Sequence, residues 1–451
     1  MMMTETEILS ILSDWNYWGN FREQPRDRPS YLAKMEQLFS DKTATVVLGV
    51  RRAGKSSLIY LFLNRGFEKR QFEAKDTLLI NFEDPRFHLP LTSADLFKMY
   101  EIYLKHLNPA HPLVALDEVQ NVAGWEKFVR YLLEAKKTRV LVTGSSSKTL
   151  GKEISTVLTG RHVDIEIFPL NFQEYLSFRG LDIAGAVDIA KHRVGIKRFF
   201  DEYLEWGGFP EVVLSETVQR KRELLLRYFD DILIKDVVKR FGVKEIEKLE
   251  QLAGLFISNV ATLQSLNKLK DRIGVSLNTV ERFLSYLETA RMFGAVKKFD
   301  YSVGRQIRSI SKVYAIDLGF YAAKGFKFSE HYGHLAENLV AIELFRQRAI
   351  DPQVEIYYWK DQQQREVDFV VKTGLKVTQL IQVCWNMRDE NTRERELKSL
   401  VKAGNELHCD DLLVITADEE AAQTVRRNGA ETTIRLLPLW RWLLTEVPLE
   451  T

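Results

Sequence analysis

The stretch GVRRAGKSS at residues 49–57 has the residue types and the spacing of a loop that binds phosphate groups. Gly49 and Gly54 would let backbone N–H groups turn inward around phosphate oxygens. Lys55 would reach the β and γ oxygens of a nucleoside triphosphate, and the Ser56 hydroxyl would bind Mg²⁺. The residues predicted to contact the nucleotide are Gly49, Arg52, Ala53, Gly54, Lys55, Ser56 and Ser57.

Two further stretches carry polar residues that would complete a site for phosphate chemistry. In HPLVALDEVQ an apolar run ends in Asp117, which would hold Mg²⁺ through water, and Glu118, which would polarise an attacking water. In RVLVTGSSS, Ser145 is the residue expected to sense the γ-phosphate. Acids and serines after a strand are also ordinary turn formers, so the phosphate loop in the same region is what favours this interpretation.

The segments around these residues predict a parallel α/β sheet. TATVVLG and LVALD are apolar runs that precede the loop and the acid pair, and TLLINFEDP supplies another buried strand. WEKFVRYLLEA has helical periodicity before the strand RVLVTG. Ligands bind at the carboxyl ends of the strands in open α/β sheets, so the polar clusters are expected at one edge.

The middle of the chain predicts a helical segment and then a DNA-binding arrangement. Residues 195–243 have a helical pattern that EWGGFPEVV interrupts. Two helices follow, the second starting near Asn278 with Glu281 completing its N-cap, and then a β-hairpin from MFGAVKKF and SISKVYAID. This winged-helix arrangement would place the second helix in the major groove and the hairpin on phosphates, although such domains also serve as packing modules. The predicted DNA contacts are Thr279, Arg282, Lys297, Lys298, Arg305 and Arg308.

The motifs GVRRAGKSS, NFEDPRF, LDEVQ, TGSSS and LTGRHVDIEIFPLNFQEYL resemble those of AAA-related P-loop ATPases of archaea and bacteria. The resemblance implies that Arg161 completes the nucleotide site by offering a cation to the transferred phosphoryl group. It leaves open whether Arg161 acts within its own chain or across an interface of a homo-oligomer, and a plain loop is the alternative. It also implies that the helical segment forms a lid beside the nucleotide.

From about His331 the pattern predicts a mixed α/β domain with a helix, three strands, a helix, a strand, and a final strand and helix. This order, with Glu337 on the first helix and Asp368 in REVDFVV, resembles the restriction-endonuclease-like fold that the same ATPase family often carries at its C-terminus. The third strand of such domains commonly has Glu-x-Lys, whereas LIQVCWN has Gln382 and Cys384 at those positions.

These substitutions bear on whether the C-terminal domain cuts nucleic acid. A nuclease of this type needs hard oxygen ligands for Mg²⁺ and a cation near the nucleophile. Gln382 offers only a neutral carbonyl oxygen, Cys384 carries no positive charge, and Glu366 is expected to point away from Asp368. The lysines that would have to replace the missing cation are Lys360, Lys372 and Lys376. The sequence therefore predicts a nuclease-like scaffold with a degenerate site, formed by Glu337, Asp368, Gln382 and Cys384.

The composition limits the class of protein. With 45% hydrophobic and 28% charged residues, the 451-residue chain is expected to form globular domains. Its net charge is only +2, so affinity for nucleic acid must come from local basic patches. Two cysteines argue against a disulfide framework and against a four-cysteine zinc site. The start MMMTETEILS lacks signal-peptide features and no apolar run reaches membrane-spanning length, so the expected location is the cytoplasm without a membrane partner.

Together these observations predict an α/β P-loop ATPase core with an N-terminal helical extension at residues 1–170 and a helical lid at 171–243. A winged-helix domain is expected at 244–325 and the nuclease-like domain at 326–451. The predicted function is binding and hydrolysis of ATP with Mg²⁺, coupled to binding of double-stranded DNA or of a partner. The alternatives are a nucleotide-dependent protein-binding switch without a DNA role and an ATP-regulated DNA nuclease.

Overall fold

The computed structural model describes residues 3–19, 21, 23–40, 42–87, 90–135, 138–144, 160–325, 332–427 and 430–445. The chain divides into two compact units, Met1–Ile167 and Phe168–Pro448. Within the described ranges, no helix is both long and apolar enough to cross a membrane.

A parallel sheet forms the centre of the first unit. Its strands, in the described residues, are β1 (Ala44–Gly49), β2 (Thr77–Asn81), β4 (Leu113–Asp117), β6 (Arg139–Gly144) and β7 (His162–Ile167). They lie in the order β2-β4-β6-β1-β7, and each neighbouring pair is parallel. Two short strands, β3 (Leu91–Thr92) and β5 (Val122–Ala123), pair with each other. Strands β1 and β4 are buried along their whole length, which explains their continuous apolar sequence and confirms the predicted parallel sheet.

Helices surround this sheet because one face of each is apolar. In the helix Trp125–Ala135 the buried residues are Trp125, Phe128, Val129, Leu132 and Leu133, at the spacing of a single helical face. The described helices of the first unit are Glu5–Trp15, Pro29–Leu38, Lys55–Glu68, Ser93–Leu107 and Trp125–Ala135, with single 3₁₀ turns at Ala74–Asp76 and Val119–Asn121.

The second unit begins with helices. The first group comprises Phe172–Phe178, Ala186–Lys191, Arg193–Trp206, Pro210–Leu214, Val218–Asp231, a π-helical stretch at Ile232–Val238, and Lys239–Phe241. The second comprises Ile246–Ser258, Leu266–Ile273, Leu277–Thr289, Val303–Arg308, Gly319–Lys324, Tyr332–Ile350, Glu390–Leu407 and Leu439–Thr445. The predicted break at EWGGFPEVV is confirmed between Trp206 and Pro210.

The predicted start of the second helix near Asn278 is confirmed to within one residue, but the expectation that Glu281 completes its N-cap was wrong. Helix Leu277–Thr289 is instead capped by Ser276, whose side chain accepts a hydrogen bond from the backbone N–H of Thr279. The Ser276 backbone is extended, at φ −72° and ψ 156°, which is the geometry an N-cap residue needs. The helix therefore starts before Asn278, and Glu281 falls within its second turn.

A mixed sheet joins the hairpin region to the C-terminal region. The strands that the structure describes there are β8 (Leu263–Gln264), β9 (Phe293–Lys298), β10 (Ser311–Ala315), β11 (Val354–Lys360), β12 (Glu366–Thr373), β13 (Lys376–Val383), β14 (Leu412–Thr416), β15 (Ala421–Arg427) and β16 (Ala430–Pro438). Their order is β15-β16-β14-β13-β12-β11-β9-β10-β8. β9 and β10 form the predicted antiparallel hairpin, and β9 also pairs in parallel with β11. The hairpin is therefore part of the same sheet as the C-terminal strands.

Candidate functional site

The phosphate loop has the backbone that its glycines predict. β1 ends at Gly49, where an added Cβ would lie 2.3 Å from the Ile167 carbonyl oxygen of the neighbouring strand, so only glycine fits. Gly54 has φ of +100° and precedes the helix Lys55–Glu68, which has no side-chain N-cap. A helix N-terminus without a side-chain cap can offer its first N–H groups and its dipole to an anion. The loop geometry therefore suits phosphate.

Asp117, at the end of β4, is held by two hydroxyl groups. The Ser56 hydroxyl donates to its Oδ2 at 2.7 Å, and the Thr143 hydroxyl donates to its Oδ1 at 2.5 Å. The carboxylate is buried, with 3% of the residue exposed. Ser56 and Asp117 thus lie together, as their predicted shared role at Mg²⁺ requires. A hydroxyl and a carboxylate are both hard oxygen donors, which is the ligand chemistry that Mg²⁺ prefers.

Glu118 pairs with the lysine of the phosphate loop. Its Oε1 lies 3.2 Å from Lys55 Nζ, and Gln120 Nε2 donates to its Oε2 at 2.6 Å. Both charged side chains are buried. The Glu118 backbone lies in the left-handed region at φ +57°, and its N–H donates to Thr143 Oγ1 at 2.9 Å. The glutamate is therefore constrained from both its backbone and its side chain.

Burial and the nearby charges set different pKa directions for the two acids. Burial, and then the negative charge of Glu118, raise the pKa of Asp117 to about 6. Burial alone would raise the pKa of Glu118, but the cations of Lys55 and Arg51 outweigh it and place that pKa below its ordinary value. Glu118 is therefore ionised at neutral pH, which a residue that polarises water requires.

Three residues that sequence reasoning missed support this site. Arg28 is 3% exposed, and its guanidinium donates to the Ala53 carbonyl oxygen of the phosphate loop at 3.0 Å. Arg51 pairs with Glu83 at 2.5 Å, and Thr143 makes the contacts given above. Arg51 lies within the phosphate loop GVRRAGKSS, and Thr143 lies two residues before Ser145. Their places in these motifs could therefore have indicated that both belong to the site. Arg28 carried no such signal.

The other predicted nucleotide contacts follow from the loop. Ala53 is buried and Arg52 is exposed with φ of +71°, while Ser57 is half-buried in the first turn of the helix. Ser145, the predicted γ-phosphate sensor, lies outside the described residues. Its assignment therefore stays a prediction.

Arg161 lies at the opposite end of the strands from the phosphate loop. It precedes β7, whose first residue pairs with Ala44 at the start of β1, whereas the loop follows the end of β1 at Gly49. A strand of this length spans about 17 Å. The Arg161 side chain is 49% exposed and forms an ion pair with Glu134. From this position Arg161 does not reach the phosphate loop of its own chain. The predicted role at the nucleotide therefore requires an interface with another copy of the chain.

The predicted DNA-contact residues differ in exposure. Thr279 is buried in the first turn of its helix and its hydroxyl hydrogen-bonds Ser276, so its position does not favour the predicted DNA contact. Arg282 is exposed, while Tyr286 on the same helix stacks on Phe241 with ring centroids 4.0 Å apart. Thr279 lies in the first helical turn beside the Ser276 cap, and the periodicity of the helix alone did not indicate that it is buried.

The basic residues of the hairpin lie mostly on its surface. Lys297, Arg305 and Arg308 are exposed and Lys298 is half-buried. Arg305 Nε pairs with Asp300 Oδ1 at 2.9 Å, which neutralises part of this charge. The connection between β9 and β10 also exposes the apolar side chains Tyr301, Val303, Ile307 and Ile310.

The residues predicted to form a degenerate nuclease site do come together. Glu337 and Asp368 are buried and share a cation, the ammonium of Lys312, which no sequence pattern had indicated. Gln382 Oε1 accepts from the Asp368 N–H at 3.2 Å, and its Nε2 donates to Glu396 at 2.8 Å. Burial raises the pKa of the Cys384 thiol to about 11, so it remains a neutral thiol.

One expectation about this region was wrong. Glu366 lies on the same face of β12 as Asp368, because residues two apart on a strand point the same way, and its carboxylate also contacts Lys312. The cation beside Glu337 and Asp368 is Lys312 of β10, whereas Lys372 pairs with Glu355 and Lys376 is exposed. Lys360 Nζ lies 3.0 Å from Glu366 Oε2, whereas Lys312 contacts Oε1 of the same carboxylate. In the part of the chain that the structure describes, no group of three or more His, Cys, Asp or Glu side chains is arranged to hold a metal ion.

Three family models match the chain. Residues 41–176 match a family described as an AAA domain. Residues 197–330 and 332–441 match two families described as domains of unknown function, DUF8612 and DUF4143. The AAA-domain match covers the phosphate loop, the acid pair and the parallel sheet.

The chain is also similar to proteins from archaea and bacteria. It is 28% identical over 375 residues to an uncharacterized protein of Haemophilus influenzae, covering 82% of this chain and 89% of that protein. Among solved structures, the Walker-type ATPase PABY2304 of Pyrococcus abyssi aligns with a TM-score of 0.46 at 14% identity, over 67% of this chain and 96% of that one. DnaA of Aquifex aeolicus bound to AMPPCP aligns with a TM-score of 0.26 at 16% identity, over 60% and 90%.

The chain is also similar to the uncharacterized protein MJ1544 of Methanocaldococcus jannaschii. The two sequences are 32% identical over 407 residues, which is 89% of this chain and 88% of that protein. A match over nearly the whole length extends beyond the phosphate-binding region into both C-terminal segments. The chain thus carries an AAA domain at residues 41–176 and belongs with MJ1544 in one family of sequences.

Proposed function

We propose that this protein binds ATP with Mg²⁺, hydrolyses it, and couples its nucleotide state to binding of double-stranded DNA. The observation that carries the ATPase part is the pair of contacts at one edge of the parallel sheet. Ser56 bonds Asp117 and Lys55 pairs with Glu118, so both members of the phosphate loop already face the two acids. A chance glycine-rich turn would not bring these four residues together.

The residues present suit Mg²⁺ and a triphosphate. Ser56 would hold Mg²⁺ directly and Asp117 through water, and the metal would supply neutralisation of the phosphate charge. The helix N-terminus after Gly54 would receive the phosphates, and Lys55 would bind the β and γ oxygens.

The Lys55–Glu118 ion pair suggests an order in which nucleotide binding precedes activation of the attacking water. Binding of the γ-phosphate would draw the Lys55 ammonium away from Glu118, because a phosphate carries more negative charge than a carboxylate. Glu118 would then be free to orient and deprotonate a water for attack on the γ-phosphorus. The ion pair between Lys55 and Glu118 would thus couple the availability of the base to binding of the γ-phosphate.

The DNA part of the proposal is supported by the helices Leu266–Ile273 and Leu277–Thr289 followed by the hairpin. This order is that of a winged-helix module, with Arg282 exposed on the second helix and Lys297 and Arg308 exposed on the hairpin region. Positive side chains at these positions would contact phosphates.

A second candidate function is a nucleotide-dependent switch that binds a protein partner. Two observations favour it. Tyr286 is packed on Phe241 and Thr279 is buried, which leaves few side chains on the second helix to read bases. Tyr301, Val303, Ile307 and Ile310 expose apolar surface beside the basic residues, which suits a protein contact more than a phosphate backbone.

Steady-state ATP hydrolysis with Mg²⁺, with and without double-stranded DNA, tests both candidates. Glu118→Gln is the matched variant, because the amide keeps the size of the side chain but removes the base and the ion pair with Lys55. It is expected to bind ATP at least as tightly as the wild type and to lose at least about 100-fold in turnover. If wild-type turnover rises several-fold with DNA and salt removes the effect, the DNA-coupled function stands. Slow turnover that ignores DNA would favour the protein-binding switch, and wild-type turnover equal to that of Glu118→Gln would refute hydrolysis.

A further inference from the structure

A cluster of charged side chains lies in the second unit and includes none of the residues proposed to bind nucleotide. Lys312 on β10 is surrounded by Glu337, on the helix Tyr332–Ile350, and by Glu366 and Asp368 on β12. Its Nζ lies 2.8 Å from Glu337 Oε1, 2.7 Å from Glu366 Oε1 and 2.9 Å from Asp368 Oδ1. The lysine side chain is only 3% exposed.

This arrangement resembles a metal-binding site in which the Lys312 ammonium stands at the position of the cation. Three carboxylate oxygens converge on one point, and a divalent metal there would take oxygens from the same side chains at about 2.0–2.6 Å. The ammonium fills that point and uses its three protons, one toward each carboxylate. Tyr314 adds a hydrogen bond to Glu337 Oε1 at 2.8 Å. A metal ion and the Lys312 ammonium therefore cannot occupy the cluster together.

The neighbouring residues fit a permanent ammonium rather than a metal. Lys360 gives Glu366 a second positive partner at 3.0 Å, so two ammonium groups face three carboxylates. Gln382 both accepts a hydrogen bond from the Asp368 N–H and donates one to Glu396. A carboxylate at position 382, as an active nuclease of the resembled type would have, could not donate to Glu396 and would add a fourth negative charge.

We propose that the Lys312 ammonium takes the place of the divalent cation in this nuclease-like region, so that the wild-type protein holds no metal there. The same contacts fasten β10 to β12 and to the helix Tyr332–Ile350, which keeps the hairpin in register with the C-terminal strands. In this proposal the region stabilises the packing of β10, β12 and the helix, and the Lys312 side chain occupies the position that a metal ion would take. This inference is independent of the proposed ATPase activity.

Titration of the full-length protein with Mn²⁺ in the absence of nucleotide tests the proposal, with free Mn²⁺ followed by electron paramagnetic resonance. Wild type and Asp368→Asn are expected to bind the same number of Mn²⁺ ions, because any ion at the phosphate loop is common to both. Lys312→Ala is expected to bind one more, and Lys312→Ala combined with Asp368→Asn is expected to lose it. Mn²⁺ should also raise the Tm of Lys312→Ala by several degrees more than that of the wild type, since a ligand that binds only the folded state stabilises it.

Three outcomes would overturn the proposal. The first is that wild type binds one more Mn²⁺ than Asp368→Asn, which would place a metal beside or instead of Lys312. The second is that wild type nicks supercoiled DNA with Mn²⁺ and Asp368→Asn does not. The third is that folded Lys312→Ala gains no ion. The first two use only wild type and Asp368→Asn, so they decide the matter even if Lys312→Ala does not fold, and neither depends on ATP hydrolysis.

Discussion

Thr143 connects the two acids of the nucleotide site through one hydroxyl group. Its Oγ1 donates to Asp117 Oδ1 and accepts from the backbone N–H of Glu118. The residue is fully buried, so no water can replace these contacts. Thr143 therefore fixes both the orientation of the carboxylate proposed for Mg²⁺ and the strained backbone of the proposed base.

Thr143→Val is expected to weaken the site while keeping the shape of the side chain. The variant leaves the Glu118 N–H and one Asp117 oxygen without a partner, which would lower the free energy of unfolding by about 1–3 kcal/mol. The Mg²⁺ concentration for half-maximal ATP hydrolysis should rise several-fold. Thr143→Ser, which retains the hydroxyl, is the control and should stay near wild type. Equal Mg²⁺ dependence in all three proteins would show that Thr143 does not orient Asp117.

Asp317 is a buried acid that makes stability depend on pH. Its Oδ2 accepts from the Gly208 N–H at 2.7 Å and its Oδ1 from the Gly319 N–H at 2.8 Å. Burial raises its pKa from the ordinary 3.8 to about 7. Between these two values the folded protein keeps a proton that the unfolded chain has lost, so stability falls as pH rises.

Asp317→Asn should remove this dependence. Relative to the variant, the wild type is expected to lose about 1.4 kcal/mol of unfolding free energy per pH unit between about pH 4 and pH 7, with little further loss above. Urea unfolding followed by tryptophan fluorescence at several pH values measures the difference. The amide is expected to destabilise the protein at low pH, because its NH₂ group must face one glycine N–H, so the slope and not the absolute value is the readout. Parallel curves would mean that Asp317 is ionised in the folded protein throughout.

At the scale of elements, the hairpin of β9 and β10 is the feature on which the DNA proposal depends. β9 pairs with β10 on one side and with β11 on the other, so its backbone is held by the sheet. Lys297 is exposed on β9, and Arg308 is exposed on the helix Val303–Arg308 between β9 and β10. A fixed display of charge favours phosphate contacts because little side-chain and backbone freedom is lost on binding.

Replacing both Lys297 and Arg308 by alanine should reduce the salt dependence of DNA binding. If each contacts one phosphate, the slope of log affinity against log salt should fall in magnitude by about 1.8. Fluorescence anisotropy with a double-stranded oligonucleotide at several salt concentrations gives the slope. Lys376→Ala with Lys398→Ala is the matched control, since it removes the same charge from exposed positions elsewhere. Identical slopes for the two double variants would exclude the hairpin as a phosphate-binding surface.

At the scale of the whole molecule, the position of Arg161 leads us to predict that ATP hydrolysis uses a second copy of the chain. The residue is half-exposed and lies at the edge of its own sheet opposite the phosphate loop. We therefore expect it to serve the nucleotide of a neighbouring protomer in a homo-oligomer, as the cation that stabilises charge on the transferred phosphoryl group.

Mixing two inactive variants tests this arrangement. Arg161→Ala and Lys55→Ala should each lose at least about 1000-fold in turnover. In a mixture, the Lys55→Ala protomer would supply its Arg161 to the intact phosphate loop of the other, so part of the activity should return. Mixing Lys55→Ala with Glu118→Gln is the control, because both defects lie in the phosphate-loop site and no complete site can form. Arg161→Ala with full activity would assign the residue to a plain loop.

The sequence by itself determined those features that local geometry decides. After a β-branched strand, two glycines and the Lys-Ser pair specify a phosphate loop within nine residues, because the loop and the start of the next helix are built from consecutive backbone. Continuous apolar runs predicted the buried parallel strands, and the turn at EWGGFPEVV followed from its glycines and proline. The mixed α/β order of the C-terminal region was predicted in the same way, except that the strand Ala421–Arg427 was missed.

Only the tertiary structure decided which distant side chains meet. Arg28 reaches the phosphate loop from 25 residues away, Thr143 reaches Asp117 from 26, and Lys312 reaches Asp368 from 56. Periodicity places a residue on a face of its own element, but it does not state what the opposing element carries. Lys312 directly precedes the apolar run VYAI, and only the packing of β10 beside Glu337 and Asp368 identifies its carboxylate partners. The closing of the nuclease-like site by Lys312 is for this reason a property of the fold and not of any motif.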